Sequence, residues 1–386
     1  MCAYMDTKSA DKAYIAGTYG RFDAALKKGS GAVYTAEDGK EYIDFGSGIG
    51  VTCLGACDAG WVAAVEQQLH LMGHVSNLYY SAPQTRLAAM LCERTGMSKV
   101  FFGNSGAEAN ECAIKVARRY GEATGRHTII TLKNSFHGRT IATLAATGQD
   151  RFHEHFGPFP EGFRYVEANS CEALRDAFSE GDVCGLLMEM IQGEGGVHVM
   201  ERDFVACAAE MCQKHDALLM VDEVQTGNGR TGRLYSYMHY SIQPDVVTTA
   251  KGLAGGLPMG ACLLSERAAA MLQKGDHGST FGGNPICAAA ALHVINRITD
   301  ELMQQVTEKG MYIRKAVEAM SGVRGVTGMG LMLGVLTERP SSQVAAACMD
   351  AGLMVLTAHE KVRFLPPLNI TREEIDRALA IFRQCL

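Results

Sequence analysis

The 386-residue chain has no apolar run long enough for a membrane span. Nowhere do about 18 apolar residues follow one another, and Met1 to Tyr14 contains no apolar segment ahead of a small-residue cleavage site. Charge of one sign is not concentrated either. The 36 Lys and Arg stand against 42 Asp and Glu, and the net charge of -6 comes without a basic run that could follow a phosphate backbone. We therefore expect no membrane insertion, no secretion and no nucleic-acid partner.

The chain also lacks paired metal or redox motifs. Its 13 Cys include no C-x-x-C pair, and their closest spacings match no zinc or disulfide-exchange motif. His70 and His74 have helical spacing, and 153–155 is a dense His-Glu-His trio, but neither has a third ligand in a suitable frame. We expect reduced thiols, a cytoplasmic location and no bound metal.

What the chain has in excess is glycine, 43 residues in short stretches that follow apolar runs. From about residue 85 onward, these runs alternate with segments of helical periodicity such as 109–120. Each run is typical of a strand buried on both faces; the runs are 100–102, 128–132, 185–188, 217–221, 246–249 and 261–264. The strand, helix, strand order predicts an α/β fold with a mainly parallel sheet flanked by helices.

The same patterns predict three segments. Residues 1–52 are an irregular arm that ends in a hairpin, because 33–35 and 41–43 flank a turn sequence. Residues 53–284 form the large α/β domain. After Pro285 a long helical stretch precedes alternating segments, which predicts a smaller α+β domain over 285–386.

A phosphate site is predicted after the first run. Ser105 and Glu108 have the spacing of a capping box at the start of the next helix. Gly106 and Ala107 leave the first-turn N–H groups uncovered, where the helix dipole favours an anion. The box alone indicates only a well-capped helix, so phosphate binding depends on the motifs that follow.

Aromatic, imidazole and guanidinium groups follow the second run. Taken singly, Phe136 is typical of a core residue and Arg139 of a solvated surface group. Together with His137 at the end of a strand, they suit a flat ring stacked on Phe136 and a carboxylate bound by Arg139.

Two charged residues follow later runs. Asp222 comes directly after buried residues and needs a cation or hydrogen-bond donors, although a strand-end Asp also serves as a cap or loop anchor. Lys251 stands at a strand end before glycines, where burial can deprotonate its amine for imine formation. The alternative for a single lysine is a surface position.

One segment favours a different class of protein. Residues 227–232 fit G-x-G-x-x-G, and Asp245 lies 18 residues beyond the first glycine. A dinucleotide site needs the strand to end at that glycine and a helix to open at the third. Here five residues separate the run from Gly227, and 233–237 is a poor helix start. An NAD-binding oxidoreductase is therefore the less favoured alternative.

The remaining groups point to one cofactor. A phosphate-binding helix start, a stacking ring, a carboxylate and an amine match the phosphate, ring, pyridinium nitrogen and aldehyde of pyridoxal 5'-phosphate. The chain also resembles the class III pyridoxal-phosphate-dependent aminotransferases of fold type I, closest to their acetylornithine group. The stretches that carry the resemblance are 74–80, 104–111, 136–140, 192–196, 222–227, 244–260 and 277–285.

For the cofactor, the resemblance implies that the segment Ser105, Gly106 and Ala107 binds the phosphate. Phe136 and Val224 would lie against the two faces of the ring.

At the reacting end of the cofactor, Asp222 would pair with the pyridinium nitrogen, Gln225 would bind the ring hydroxyl and Lys251 would bind the aldehyde. Asp222 and Lys251 are thus the expected catalytic residues. Thr280 would reach the phosphate of the neighbouring subunit, which implies a homodimer with shared active sites.

For the substrates, the resemblance implies that Arg139 and Tyr19 bind the donor α-carboxylate, with Ser279 nearby. Arg363 would bind the α-carboxylate of 2-oxoglutarate, and Glu194 would pair with Arg363 until that diacid arrives. The implied reaction moves the distal amino group of N-acetylornithine to 2-oxoglutarate and yields N-acetylglutamate semialdehyde and glutamate.

Alternatives within the family are succinyl-diaminopimelate, ornithine and 4-aminobutyrate as donors. Two departures from the family pattern bear on this choice. Met190 stands where a Pro is usual, close to Glu194, and 54–59 replaces a common Leu-Gly-His-Cys-His-Pro near the expected substrate entrance. A cofactor-binding protein without catalysis is the remaining alternative.

Overall fold

The computed structural model describes residues 5–386 and leaves the first four residues of the predicted arm outside. The strands are β1 (Leu26–Ser30), β2 (Val33–Ala36), β3 (Glu41–Asp44), β4 (Lys99–Gly103), β5 (Thr128–Leu132), β6 (Phe163–Val166), β7 (Val183–Met188), β8 (Ile191–Gln192), β9 (His198–Val199), β10 (Leu218–Asp222), β11 (Val246–Thr249), β12 (Gly260–Leu264), β13 (Val323–Met329), β14 (Met332–Thr337), β15 (Leu353–Met354), β16 (Leu356–Ala358) and β17 (Lys361–Phe364).

The helices are α1 (Thr7–Tyr14), α2 (Ser47–Gly50), α3 (Ala59–Leu71), α4 (Ala82–Thr95), α5 (Gly106–Gly121), α6 (Ile141–Ala146), α7 (Cys171–Ser179), α8 (Arg202–Lys214), α9 (Glu266–Ala269), α10 (Pro285–Arg297), α11 (Asp300–Glu318), α12 (Ser341–Asp350) and α13 (Arg372–Cys385). Short 3-10 turns cover Glu122–Thr124, Asp150–Phe152, Ser236–His239 and Lys251–Ala254. The label α2 marks a single turn in which all four residues have positive φ.

A seven-stranded sheet in the order β4-β12-β11-β10-β7-β5-β6 forms the centre of the fold. The neighbouring strands from β11 to β6 are all parallel, and β12 runs antiparallel to both β11 and β4. The predicted α/β fold with a mainly parallel sheet is therefore confirmed. The carboxyl ends of β4, β11, β10, β7 and β5 meet at one edge, where ligands of α/β sheets bind.

Helix α5 packs on this sheet through the apolar face that the sequence predicts. Ala109, Cys112, Ala113, Val116 and Ala117 are all fully buried. The helix starts at the carboxyl edge of the sheet because it directly follows β4. Its N-terminus, the dipole end that favours anions, therefore points to the same edge as the strand ends.

The N-terminal and C-terminal segments share a second sheet. Strands β2 and β3 form the predicted hairpin, with Val33 opposite Ile43, and β15 joins β3 in parallel. The arm is not irregular as predicted, because it contains α1 and β1. A further antiparallel sheet, β13-β14-β17-β16, lies within the C-terminal segment. The boundaries after residues 52 and 284 stay predictions.

Across residues 5–386, none of the helices is long and apolar enough to cross a membrane. The 12 described cysteines are all free thiols.

Candidate active site

A cavity of about 420 Å³ opens at the carboxyl edge of the central sheet. Nine of the residues singled out by the sequence line it: Ser105, Gly106, Ala107, Phe136, Arg139, Asp222, Val224, Gln225 and Lys251. They come from four separate stretches of chain, 105–107, 136–139, 222–225 and 251. The sheet brings them together because each stretch follows a strand that ends at this edge.

One end of the cavity is the N-terminus of α5. The Ser105 hydroxyl accepts a hydrogen bond from the Glu108 N–H at 3.2 Å and caps the helix. The Glu108 carboxylate accepts from the N–H of Asn104 rather than from that of Ser105, so the predicted box is only half formed. The N–H groups of Gly106 and Ala107 have no partner within the helix. They are therefore available to an anion in the cavity.

Phe136 forms part of the cavity wall, and its backbone is held by a hydrogen bond to a buried acid. Its N–H donates to Glu189 Oε2 at 3.0 Å, and the other Glu189 oxygen accepts from the Gly193 N–H. Burial, reinforced by the negative charge of Asp222, raises the pKa of Glu189 well above its ordinary value. Arg139 lies exposed beside the ring, 5.5 Å from its centroid, and forms no ion pair within residues 5–386.

Asp222 is the last residue of β10 and is only 3% exposed. Its Oδ2 accepts from Asn110 Nδ2 and faces His137 Nδ1, both at 2.8 Å, and its Oδ1 accepts from the Val224 N–H at 2.9 Å. Each carboxylate oxygen has two acceptor positions. Both positions on Oδ2 are filled, which leaves one free on Oδ1.

Lys251 follows β11 and has a φ of 45°, a conformation that costs free energy for a residue other than glycine. Such strain is typical of functional sites, where the surrounding fold imposes it. Loss of hydration lowers the pKa of the Lys251 ammonium below its ordinary value; Glu194 opposes this effect and Arg363 adds to it. The amine is therefore easier to deprotonate than that of an exposed lysine.

Next to the cavity, Glu194, Gln225 and Arg363 form one hydrogen-bonded group. Arg363 Nη1 lies 2.7 Å from Glu194 Oε1 and 2.9 Å from Gln225 Oε1, and the Arg363 residue is 2% exposed. Burial favours the neutral acid, but the Arg363 charge outweighs it and lowers the pKa of Glu194. Gln225 alone of the three lines the cavity, so it links the ion pair to the site.

Besides Glu194 and Arg363, three further predicted residues do not line the cavity of a single chain. Tyr19 is 72% exposed on the N-terminal arm. Ser279 and Thr280 lie on the loop before α10, where Ser279 Oγ accepts from Asn104 Nδ2 at 3.1 Å and Thr280 is exposed. None of the three is a lining residue.

Among the lining residues that were missed or left without a role are Glu189, Asn110 and His137. Glu189 directly follows β7, so the strand-end argument applied to Asp222 would have found it. Asn110 is a polar residue on the buried face of α5, and a buried amide needs partners. His137 stood in the motif with Phe136 and is 2% exposed.

The departures from the family pattern have structural roles. Asp58 caps α3 through the Trp61 N–H at 3.0 Å and pairs with His293 and Arg297 of α10. No residue of 54–59 lines the cavity. Met190 is fully buried, and its carbonyl accepts from the Met200 N–H.

The dinucleotide interpretation of 227–232 is wrong. The segment forms turns, and the next element along the chain is the short 3-10 turn at Ser236–His239 rather than a helix that opens at Gly232. Arg230 is buried within it and donates to the carbonyl groups of Leu331 and Pro366. The motif therefore connects the loop after β10 to the C-terminal segment through hydrogen bonds of Arg230.

The cavity fits pyridoxal phosphate group by group. Free N–H groups at α5 suit the phosphate, the Phe136 ring suits stacking, the free acceptor position of Asp222 suits a ring N–H, and the Lys251 amine suits the aldehyde. A Cβ on Gly106 would lie 2.7 Å from Val224, so only glycine lets the helix start approach the opposite wall so closely. The fold and cavity define a pyridoxal-phosphate enzyme of fold type I.

Comparison with known proteins identifies the family. Residues 14–386 match the family model described as Aminotransferase class-III. The acetylornithine aminotransferase of Haemophilus ducreyi is 47% identical over 384 residues, which cover 98% of this chain and 98% of the relative. That of Methanocaldococcus jannaschii is 42% identical over 95% of this chain and 94% of its own.

Solved structures agree. The N-acetylornithine aminotransferase from Stenotrophomonas maltophilia has a TM-score of 0.85 and 34% identity, over 98% of this chain and 97% of that one. The ornithine aminotransferase from Toxoplasma gondii has a TM-score of 0.93 and 29% identity, over 98% and 93%. The chain belongs to the class III aminotransferases. It is a pyridoxal-phosphate-dependent enzyme that transfers an amino group from a small-molecule donor to a keto acid.

Proposed function

We propose that this enzyme transfers the distal amino group of N-acetylornithine to 2-oxoglutarate. The observation that carries the proposal is the pair of guanidinium groups around Lys251. Arg139 is exposed and forms no ion pair within residues 5–386, whereas Arg363 is buried and held by Glu194. A monocarboxylate donor needs one free cation and a dicarboxylate acceptor needs a second that becomes available later. The printed names of the relatives agree with this donor.

The acids in the cavity favour an acylated donor. Among the residues that line it, the carboxylates are Glu189 and Asp222, and both already accept hydrogen bonds from N–H groups. A free α-ammonium, as in ornithine, would lose its hydration without gaining a carboxylate partner. An acetylated α-amine carries no charge and needs only hydrogen bonds.

We assign the cofactor-binding roles to the lining residues. Ser105, Gly106 and Ala107 hold the phosphate, and Phe136 and Val224 lie against the ring. Gln225 binds the ring hydroxyl.

The proton chemistry belongs to two residues. When bound, pyridoxal phosphate supplies an aldehyde for amines and a ring that withdraws electrons from the neighbouring carbon. Asp222 holds a proton on the ring nitrogen. Lys251 Nζ has a lowered pKa and moves a proton to and from the carbon that bears the transferred amine.

We further propose a homodimer whose subunits complete each other's sites. Leu78, Tyr79, Tyr80 and Phe281 are between 59% and 100% exposed, although large apolar side chains gain free energy when they are covered. The two segments that carry them meet, since the His74 and Phe281 rings lie 5.2 Å apart. A second copy on this surface would receive Thr280 and Ser279 from the same loop, with Tyr19 as a further contribution from the arm. A cytoplasmic location stays a prediction.

A donor series tests the substrate. We expect kcat/KM with 2-oxoglutarate to be highest for N-acetylornithine among acetylornithine, ornithine, succinyl-diaminopimelate and 4-aminobutyrate. The α-ammonium of ornithine would find no carboxylate partner in the cavity, which should lower kcat/KM for ornithine about tenfold or more. A higher value for ornithine or 4-aminobutyrate contradicts the proposed donor and leaves the family assignment intact.

A further inference from the structure

The inference concerns Asn110, a buried amide of α5 that touches the carboxylate of Asp222. Asn110 is 1% exposed and lies one turn beyond the start of the helix. Its Nδ2 donates at 2.8 Å both to Asp222 Oδ2 and to the carbonyl oxygen of His137. A buried amide that makes two such bonds fixes both partners relative to the helix.

Thr248 determines which way this amide points. Thr248 lies directly opposite Asp222 in the register of β11 and β10 and is fully buried. Its hydroxyl donates to Asn110 Oδ1 at 2.7 Å. A flipped amide would turn Oδ1 toward the Asp222 carboxylate and the His137 carbonyl, so that oxygen would face oxygen twice. The hydroxyl therefore stabilises the orientation in which the amide donates to Asp222.

The consequence is that the two oxygens of Asp222 are no longer equivalent. Asn110 and His137 together fill the two acceptor positions of Oδ2, whereas Oδ1 accepts only from Val224. We propose that Asn110, oriented by Thr248, is a positioning residue that leaves Asp222 Oδ1 as the atom that binds the ring N–H of pyridoxal phosphate. The proposal rests on the proposed pairing of Asp222 with the ring nitrogen.

The test compares two cofactors that differ in one atom. Full-length apoprotein is titrated with pyridoxal phosphate and with its 1-deaza analogue, in which a C–H group replaces the ring nitrogen. The readout is the dissociation constant, so it does not depend on turnover. Thr248→Val removes the orienting hydroxyl at nearly constant volume, and Asn110→Ala removes the amide.

Thr249→Val is the matched control. Thr249 is the next residue of the same strand and is also fully buried, and its hydroxyl accepts from Asn228 instead of contacting the Asn110 amide. Thermal unfolding of each apoprotein identifies variants that do not fold. If Asn110→Ala does not fold, the conservative Thr248→Val alone is compared with the control.

We expect Thr248→Val and Asn110→Ala to weaken binding of pyridoxal phosphate about tenfold and binding of the deaza analogue by less than about twofold. The control should change both constants by the same factor. Equal losses for the two cofactors in Thr248→Val, or no loss for either, would overturn the proposal.

Asp222→Ala separates this proposal from the function on which it rests. Removal of the carboxylate should abolish the preference for the cofactor with a ring nitrogen. If the wild type itself binds both cofactors equally and Asp222→Ala changes neither, the pairing of Asp222 with the ring is wrong, and the role of Asn110 falls with it. If Asp222→Ala loses the preference but Thr248→Val and Asn110→Ala keep it, only the role of Asn110 is wrong.

Discussion

Glu194→Gln tests whether the Glu194–Arg363 pair controls which substrate binds. The substitution keeps the shape of the side chain and an oxygen that can accept from Arg363, but it removes the negative charge. Arg363 is buried, so its partners within residues 5–386 would be two uncharged amide oxygens, the one introduced at position 194 and that of Gln225 at 2.9 Å. An incoming carboxylate would then no longer compete with a charged side chain for the guanidinium.

The size of the effect follows from the geometry of the pair. The Arg363–Glu194 contact is short, 2.7 Å, and part-buried, with side-chain exposures of 3% and 28%. A hydrogen bond between charged groups contributes about 1.5 to 3 kcal/mol. The amide retains part of this free energy. We therefore expect an incoming carboxylate to bind Arg363 more favourably by about 1.5 kcal/mol, which is about tenfold in affinity. The half-reaction with N-acetylornithine should slow, because its carboxylate can now bind at the wrong cation. The half-reaction with glutamate should become faster.

Single-turnover absorbance of the cofactor measures the two half-reactions separately. Each half-reaction gives a second-order rate constant. The ratio of the constant for glutamate to that for N-acetylornithine should rise about tenfold in Glu194→Gln. Glu180→Gln is the control, because it breaks an exposed pair with Arg164 away from the cavity and should leave the ratio unchanged. An equal change in the rate constants of both half-reactions of Glu194→Gln would refute the control of substrate choice by the Glu194–Arg363 pair.

Three further predictions concern the amine, the dimer and the stability of α3. Lys251→Ala should lower kcat by about 10²- to 10⁴-fold and leave no cofactor attached to protein after borohydride reduction, as peptide mass mapping would reveal; an adduct on another lysine contradicts the assignment. Inactive Lys251→Ala and Thr280→Ala chains, mixed under subunit exchange, should regain about a quarter of the wild-type activity, because half of the dimers contain one intact site; no recovery argues against a shared site. Asp58→Ala should lower the free energy of unfolding by about 1 to 2 kcal/mol in urea with kcat/KM unchanged. Burial opposes ionisation of Asp58, but the Trp61 N–H and the Arg297 charge outweigh it and lower the pKa of this carboxyl. The charge of Asp58 should therefore contribute fully to the free energy of unfolding above the ordinary carboxyl range, and this contribution should vanish as the pH falls through the lowered pKa. The free energies of unfolding of the wild type and of Asp58→Asn, which removes only the charge, should then converge in acid. A difference that stays constant with pH would contradict this.

The sequence was most informative where a single strand decides the position of a side chain. Phe136, Asp222 and Lys251 each follow a short apolar run, and the runs are recognisable because strands buried on both faces contain few polar residues. Strand β6 escaped the same argument, since this edge strand carries Arg164 and is only partly buried. Helix α1 was also missed, because its eight residues include few apolar side chains and none of them is buried.

The order of strands in the sheet could not be obtained from the pattern. Strand β12 lies between β4 and β11 and runs antiparallel to both, although it comes last of the three along the chain. Pairing depends on which apolar faces and backbone hydrogen bonds are complementary across the whole sheet, and periodicity within one segment does not contain that information. The distances between the predicted site residues therefore came from the tertiary structure.

The sequence by itself determined the local chemistry: a strand end before a lysine, a helix start without bulky side chains, and a carboxylate in need of donors. The tertiary structure decided which groups are partners. Arg363 meets Gln225 across 138 residues of chain, and Asn110 meets Asp222 across 112. Local sequence sets backbone propensity and burial over a few residues, whereas contacts between distant segments form only when the packed core closes around them.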